Sequence, residues 1–102
     1  MIKHVVMWKL KDVAEGKTKA ENAEVMKKLL EKLPYKINAL QNAEVGINFV
    51  DASDEAVCDV VLTTKFNTND DLKVYAEHPD HLQVVKFIKK VVSERRVVDY
   101  EV

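Results

Sequence analysis

The sequence has few of the residues from which common functional motifs are built. Its 102 residues include one cysteine, two glycines, two prolines and one tryptophan. The single Cys58 forms no internal disulfide and excludes a zinc site of paired cysteines, which favours a reducing cytoplasm. Gly16 and Gly46 do not form a phosphate loop, so P-loop and dinucleotide-binding fingerprints are absent. The sequence therefore predicts neither a P-loop nucleotide site nor a dinucleotide-binding site.

The sequence also lacks a charge excess and long apolar runs. Its net charge is −1, whereas nucleic-acid-binding domains usually show a basic excess. No apolar run is long enough to span a membrane, and the chain enters a strand-like segment at once, without a secretory leader. With 47% hydrophobic and 32% charged residues, the composition is typical of a folded, soluble protein. We expect one cytoplasmic domain, residues 1–102, with no nucleic-acid or membrane partner.

The apolar pattern predicts alternating strands and helices. Residues 2–10 alternate as a strand, with His4 and Trp8 on the same face as three apolar residues. A capping box of Thr18 and Glu21 predicts a helix that Pro34 stops. Strands are then predicted over residues 45–49, 57–66 and 97–102. A helix capped by Thr68 is predicted over about 70–77, and another over 79–93, which buries Leu82, Val85, Ile88 and Val92.

This order is β-α-β-β-α-β with the second helix in two pieces. It predicts an α+β, ferredoxin-like subunit, in which a four-stranded antiparallel sheet carries its helices on one face. The open face would include Val5, Met7 and Val61. Two copies that packed sheet against sheet would bury these apolar side chains, so a homodimer is expected.

The segment from Tyr75 to His81 holds two of the three histidines and one of the two prolines. His81 falls in the first turn of the helix that Pro79 begins, where the helix dipole disfavours an imidazolium. A neutral imidazole suits a general base, but His81 would equally serve to bridge two helices by hydrogen bonds. The ring of Tyr75 should point inward, either as a partner of His81 or as a core side chain. His78 is expected to cap a helix or to lie at the surface.

Other candidate residues are less specific. His4 and Trp8 either line a pocket or belong to the core. The acidic residues 51, 54 and 55 lack the spacing of a calcium loop and are interpreted as a solvated turn, so no metal is expected. The basic residues between 86 and 96, namely Lys86, Lys89, Lys90, Arg95 and Arg96, are interpreted as solvated.

Three segments carry a family resemblance. They are the opening Ile2-Lys3-His4-Val5-Val6-Met7-Trp8-Lys9-Leu10-Lys11-Asp12, the motif Tyr75-x-x-His78-Pro79-x-His81 and the ending Val97-Val98-Asp99-Tyr100. The chain resembles the stress-responsive A/B barrel domain (Dabb) family over essentially its whole length. The resemblance implies a dimer whose two sheets close into an α/β barrel.

The resemblance also implies site residues. A plant member similar to this chain cyclises a linear polyketide with a tyrosine and the second histidine of the motif, which correspond to Tyr75 and His81. A histidine near its pocket corresponds to His4, and a further pocket histidine is replaced here by Val60. Trp8, Val60 and Leu62 complete the expected substrate-binding set. No cofactor is expected.

Two main functions follow as alternatives. The first is a cyclase or lyase acting on a keto substrate, with His81 as base and Tyr75 as orienting group. The second is a non-catalytic stress-response or ligand-binding dimer. A haem- or quinol-dependent monooxygenase is a further alternative by fold analogy alone.

Overall fold

A four-stranded antiparallel sheet carries three helices on one face in the computed structural model, which describes residues 1–50 and 54–102. The strand order is β4-β5-β1-β6. The elements are β1 (Ile2–Leu10), a hairpin of β2 (Val13–Ala14) and β3 (Lys17–Thr18), α1 (Lys19–Glu31), a 3-10 turn (Leu33–Tyr35), β4 (Asn42–Ile47), β5 (Val60–Phe66), α2 (Asn69–Glu77), α3 (Pro79–Val91) and β6 (Val92–Glu101). The predicted α+β, ferredoxin-like fold is confirmed.

The local signals that predicted the helix starts are present in the structure. The Thr18 hydroxyl accepts a hydrogen bond from the Glu21 amide, and the Glu21 carboxylate accepts one from the Thr18 amide, which completes the capping box. These contacts hold the pKa of Glu21 below its usual value. The Thr68 hydroxyl caps α2 in the same way, through the Asp71 amide. Each cap satisfies a backbone donor that the helix itself leaves free.

Several predicted boundaries and faces are corrected. Strand β4 ends at Ile47, and β6 begins at Val92 rather than at residue 97, directly after α3. Leu82 was expected to be buried but is 51% exposed, because α3 turns the face carrying Val84, Ile88 and Val91 towards the sheet. Of the acidic residues assigned to a turn, Asp54 and Glu55 are described, whereas Asp51 lies outside the described residues.

The hairpin of β2 and β3 was not predicted. Its turn places Glu15 at φ 53° and Gly16 at φ 73°, a backbone region that glycine adopts without strain. The buried Asn22 side chain in α1 donates to the Ala14 carbonyl at 2.9 Å and so ties the hairpin to the helix.

The core lies between the sheet and the helices. From the strands it takes the side chains of Val6, Trp8, Leu10, Val45, Val60, Leu62 and Phe66. Strand β6 lies at the edge of the sheet, and its residues from Ser93 to Glu101 are exposed. No helix in the described ranges is long and apolar enough to cross a membrane.

Candidate active site

The break between α2 and α3 is set by His78 and Pro79. His78 ends α2 with an extended backbone, φ −66° and ψ 135°, as expected for a residue before proline. Its Nδ1 atom accepts a hydrogen bond from the Asp80 amide at 3.1 Å, so the imidazole is the N-cap of α3. The expected capping role of His78 is confirmed. Pro79 occupies the first position of α3, where its missing N–H leaves no partner unsatisfied.

A backbone contact defines the tautomer that His81 has in its neutral form. Its Nδ1 atom lies 3.1 Å from the Ala76 carbonyl oxygen, which only accepts, so the proton sits on Nδ1. Nε2 therefore carries the lone pair in the neutral ring. Burial lowers the pKa of His81, and the nearby charges of His4, Arg95 and His78 lower it further, although the Ala76 carbonyl opposes the shift. The arrangement fits a general base at neutral pH.

Tyr75 packs its ring against that of His81. The ring centroids are 4.2 Å apart with the planes tilted by 41°, and Phe66 contacts the same phenol ring at 5.2 Å. The side chain is 1% exposed. Burial raises the pKa of Tyr75, with a smaller opposing effect of the Arg95 charge, so the phenol keeps its proton and is able to donate a hydrogen bond. Of the two alternatives for Tyr75, the described residues combine both: the side chain is buried in the core, and it meets His81 through a contact of the rings.

His4 is held by a residue from the other end of the chain. Strands β1 and β6 pair so that His4 lies opposite Asp99, and His4 Nδ1–H donates to an Asp99 carboxylate oxygen. The contact fixes the ring orientation and leaves Nε2 as the second polar atom of that imidazole. Asp99 belongs to the ending that carried the family resemblance, but no role was predicted for it.

These side chains converge on a cavity of about 390 Å³ between the sheet and the helices. Tyr75, His81, His4 and Trp8 all line it, together with the apolar residues Val6, Leu30, Leu72, Ala76, Leu82, Val85, Ile88 and Val92. Trp8 is buried, and its indole N–H has no acceptor in the part of the chain that the structure describes. The cavity combines an apolar wall with a few polar groups, as small-molecule sites usually do.

Two predicted substrate-binding residues lie elsewhere. Neither Val60 nor Leu62 lines this cavity. Both belong to β5, on the side of β1 away from β6, and both are 2% exposed within the core. The sequence correctly placed Val60 and Leu62 on the buried side of β5. The cavity, however, lies over β1 and β6 rather than over β5.

Two cationic residues of the site were interpreted as solvated. Lys89 from α3 and Arg95 from β6 both line the cavity. The missed signal is strand pairing: Arg95 lies opposite Trp8, so it shares the helix-facing side of the sheet. Because the sequence pattern placed the last strand only from residue 97, Arg95 was assigned to the end of a helix.

No metal-binding cluster is formed by the residues in 1–50 and 54–102: no three His, Cys, Asp or Glu side chains come together there. Within the described residues, the polar groups that line the apolar cavity are two imidazoles, a phenol, an indole and two cationic side chains.

Comparisons with known proteins agree with this architecture. A crystal structure from Bacteroides fragilis, described as a dimeric protein of unknown function with a ferredoxin-like fold, is 33% identical, with a TM-score of 0.85 over 99% of this chain and 95% of that one. A dimeric ferredoxin-like protein of unknown function from Thermobifida fusca is 23% identical, with a TM-score of 0.82 over 99% and 90%. A hydroxynitrile lyase from Passiflora edulis is 13% identical, with a TM-score of 0.78 over 97% and 90%.

The second and third of these similarities show the fold alone, because identity is low. No curated protein matches the sequence. The family model described as the stress responsive A/B barrel domain matches residues 2–102. The chain therefore belongs to the stress responsive A/B barrel domain family, Dabb.

Proposed function

We propose that the protein is an enzyme of the cyclase or lyase type that acts on a keto substrate in the cavity between sheet and helices. The observation that carries this proposal is the placement of His81: its ring lines the cavity, and its Nδ1 lies 3.1 Å from the Ala76 carbonyl, which leaves Nε2 as the unprotonated nitrogen of the neutral ring. The fold-level likeness to a hydroxynitrile lyase is compatible with such chemistry.

The proposed reaction begins with proton transfer. His81 Nε2 takes a proton from the carbon next to the substrate carbonyl, and the C–H electron pair becomes an enolate. The Tyr75 hydroxyl donates a hydrogen bond to the enolate oxygen. In a cyclase the enolate carbon then attacks a second carbonyl of the same substrate, and the proton on His81 returns to the new alkoxide. No oxidant or reductant is required.

His4 has a supporting role in this proposal. Asp99 orients its ring, and both His4 and His81 line the cavity. Because Nδ1 carries the proton, His4 Nε2 would then accept a hydrogen bond from a hydroxyl or enol group of the substrate and so help to orient it.

The reaction can be tested without knowing the natural substrate. Exchange of the α-hydrogens of 2-octanone in D2O, followed by proton NMR, reports proton abstraction directly. We expect the unmodified protein to accelerate exchange, His81→Ala to reduce the rate by about 100-fold or more and Tyr75→Phe by about 100-fold. In the double variant the increase in activation free energy should be smaller than the sum of the two single increases, because the two groups act together.

Thermal melts of the same variants separate catalysis from structure. If the pair is only structural, His81→Ala should lower the free energy of unfolding by about 1 kcal/mol through the lost hydrogen bond to the Ala76 carbonyl, whereas Tyr75→Phe keeps the ring contact and should leave stability nearly unchanged. That result, together with no exchange by the unmodified protein, would refute the enzyme proposal and favour the non-catalytic ligand-binding dimer.

We also propose that the protein is a homodimer through the open face of its sheet. Similar structures are dimeric proteins, and this face exposes Met7, Val98 and Tyr100 by 40–51%. An apolar groove of about 340 Å³ continues across it past Gly46 and Val61. Apolar surface of this kind is typical of an interface.

A further inference from the structure

The cavity has a charged rim that the proposed reaction does not use. Lys89 and Arg95 line it and are both exposed. In the described residues neither side chain lies within ion-pair distance of a carboxylate, whereas the neighbouring Arg96 pairs with Glu94 at 3.5 Å. Asp99, four residues along the same face of β6, is engaged by His4 and does not neutralise Arg95.

The fold directs these two cations to the cavity from opposite sides. Arg95 pairs with Trp8 across β1 and β6, so both lie on the helix-facing side, while Arg96 pairs with Met7 on the open face. Lys89 lies one helical turn after Val85 in α3, and both line the cavity. One cation therefore comes from the sheet and one from the helix layer.

The charge of Arg95 also acts on the reacting groups. The side chain lies close enough to Tyr75 and His81 to influence the pKa of both. A group bound by Arg95 would therefore lie in the cavity near Tyr75 and His81, with the rest of the ligand along the apolar wall.

We infer that the ligand of this cavity is an organic anion with an apolar body, whose carboxylate or other oxyanion is held by Arg95 and Lys89. The guanidinium matches a carboxylate with two parallel N–H···O hydrogen bonds, and Lys89 adds a second positive charge. The apolar body occupies the wall formed by Leu72, Val85 and Ile88. The inference rests on the proposed use of this cavity as the substrate site, and it narrows the substrate to a keto acid or a similarly anionic keto compound.

The test compares two probes of equal length by calorimetry and by amide chemical-shift mapping: octanoate and 1-octanol. We expect octanoate to bind about tenfold more tightly than 1-octanol, with shifts at α2, α3 and β6. Raising the salt concentration should weaken octanoate binding only, because exposed ion pairs are screened.

Variants identify the cations. Arg95→Gln should remove most of the preference for octanoate, and Lys89→Gln should remove part of it, while 1-octanol binding stays unchanged. Arg96→Gln is the matched control, since it removes the same charge from the opposite face of the same strand, and it should leave octanoate binding unchanged.

Three results would overturn the inference: equal affinity for both probes, an equal effect of Arg95→Gln and Arg96→Gln, or no binding of octanoate. None of them depends on ketone exchange, which tests the proposed enzyme activity separately. If the protein exchanges 2-octanone protons but shows no preference for octanoate, the proposed activity would be supported and the inferred anion site would be wrong.

Discussion

At the residue scale, hydrogen-bond partners assign a different task to each of the three histidines. His78 accepts from a backbone amide and ends one helix while starting another. His81 donates to a backbone carbonyl, and His4 donates to a carboxylate. The three histidines thus differ in their contacts: one caps a helix, one is the proposed base and one is oriented by Asp99. Each role can be tested separately.

The protonation of His81 leads to a prediction about pH. Its folded-state pKa is lowered, so the unfolded chain, with a value of about 6.5, binds a proton first as the pH falls. Stability should therefore decrease as the pH falls below about 6.5, and the loss should be complete once the pH is below the lowered folded-state value. His81→Gln should remove this part of the pH dependence in chemical-denaturation curves.

A site-specific NMR titration checks the same prediction. The imidazole signals of His81 should titrate below the usual range for histidine, and the groups that act on it are His4, His78 and Arg95. Arg95→Gln removes one of these charges and should move the titration of His81 upward. A midpoint at or above the usual value in the unmodified protein would contradict the assignment of His81 as a neutral base.

These residue roles were only partly predictable from sequence. The capping role of His78 follows from its place before Pro79, which is a local signal. The contact between His4 and Asp99 joins residues 95 positions apart and depends on the register of two strands. Periodicity identifies the face of a residue but does not reveal its partner on another strand, so Asp99 was missed.

At the element scale, the feature that positions the His81 ring is the break between α2 and α3. The backbone turns at His78, and this turn brings the His81 ring back against Tyr75 and within reach of the Ala76 carbonyl. A continuous helix would leave the Ala76 carbonyl to accept from an amide one turn later, in place of the imidazole. The break therefore determines the tautomer of His81 as well as its position.

This leads to a prediction about the cap. His78→Ala removes the acceptor for the Asp80 amide and should lower the free energy of unfolding by about 1 kcal/mol. His78→Asn is the matched control, because asparagine is a preferred N-cap residue and should retain most of that stability. Equilibrium denaturation of both variants provides the measurement. Equal stability of the alanine and asparagine variants would show that Pro79 alone starts α3.

Element types were predicted better than element ends. The capping box and the threonine cap are local signals, and both were found where expected. The start of β6 was placed too late because residues 92–96 have no clear alternation and are held in the sheet by pairing with β1. The face of α3 was misjudged for a related reason: its burial is set by how the helix sits on the sheet, which the spacing of apolar residues alone does not determine.

At the scale of the whole molecule, the β4 edge of the sheet is partly covered by side chains of α1. On β4, Lys27 Nζ donates to the Val45 carbonyl at 2.7 Å and the Val45 amide donates to Glu31 at 3.2 Å, so two side chains of α1 occupy hydrogen-bonding groups of that edge. This contact hinders addition of another strand at Val45. It favours association through the open face of the sheet rather than through the β4 edge.

The open face is also closely packed within the subunit. A Cβ atom added to Gly46 would lie 3.0 Å from Val61 Cγ1, so the glycine allows the valine side chain to lie across the neighbouring strand. Val61 thus belongs to the apolar groove on this face, at the centre of the proposed interface. A charge placed there would be buried by the partner subunit.

The last prediction concerns this interface. Val61→Lys should convert the proposed dimer to a monomer, because burying an unpaired ammonium group between two sheets is strongly unfavourable. Val74→Lys is the matched control: Val74 is 53% exposed on α2, in the helix layer away from the open face, and the same change there should leave the dimer intact. Size-exclusion chromatography with light scattering at micromolar concentration measures both variants beside the unmodified protein. A monomeric unmodified protein, or a Val61→Lys variant that remains dimeric, would refute association through this face.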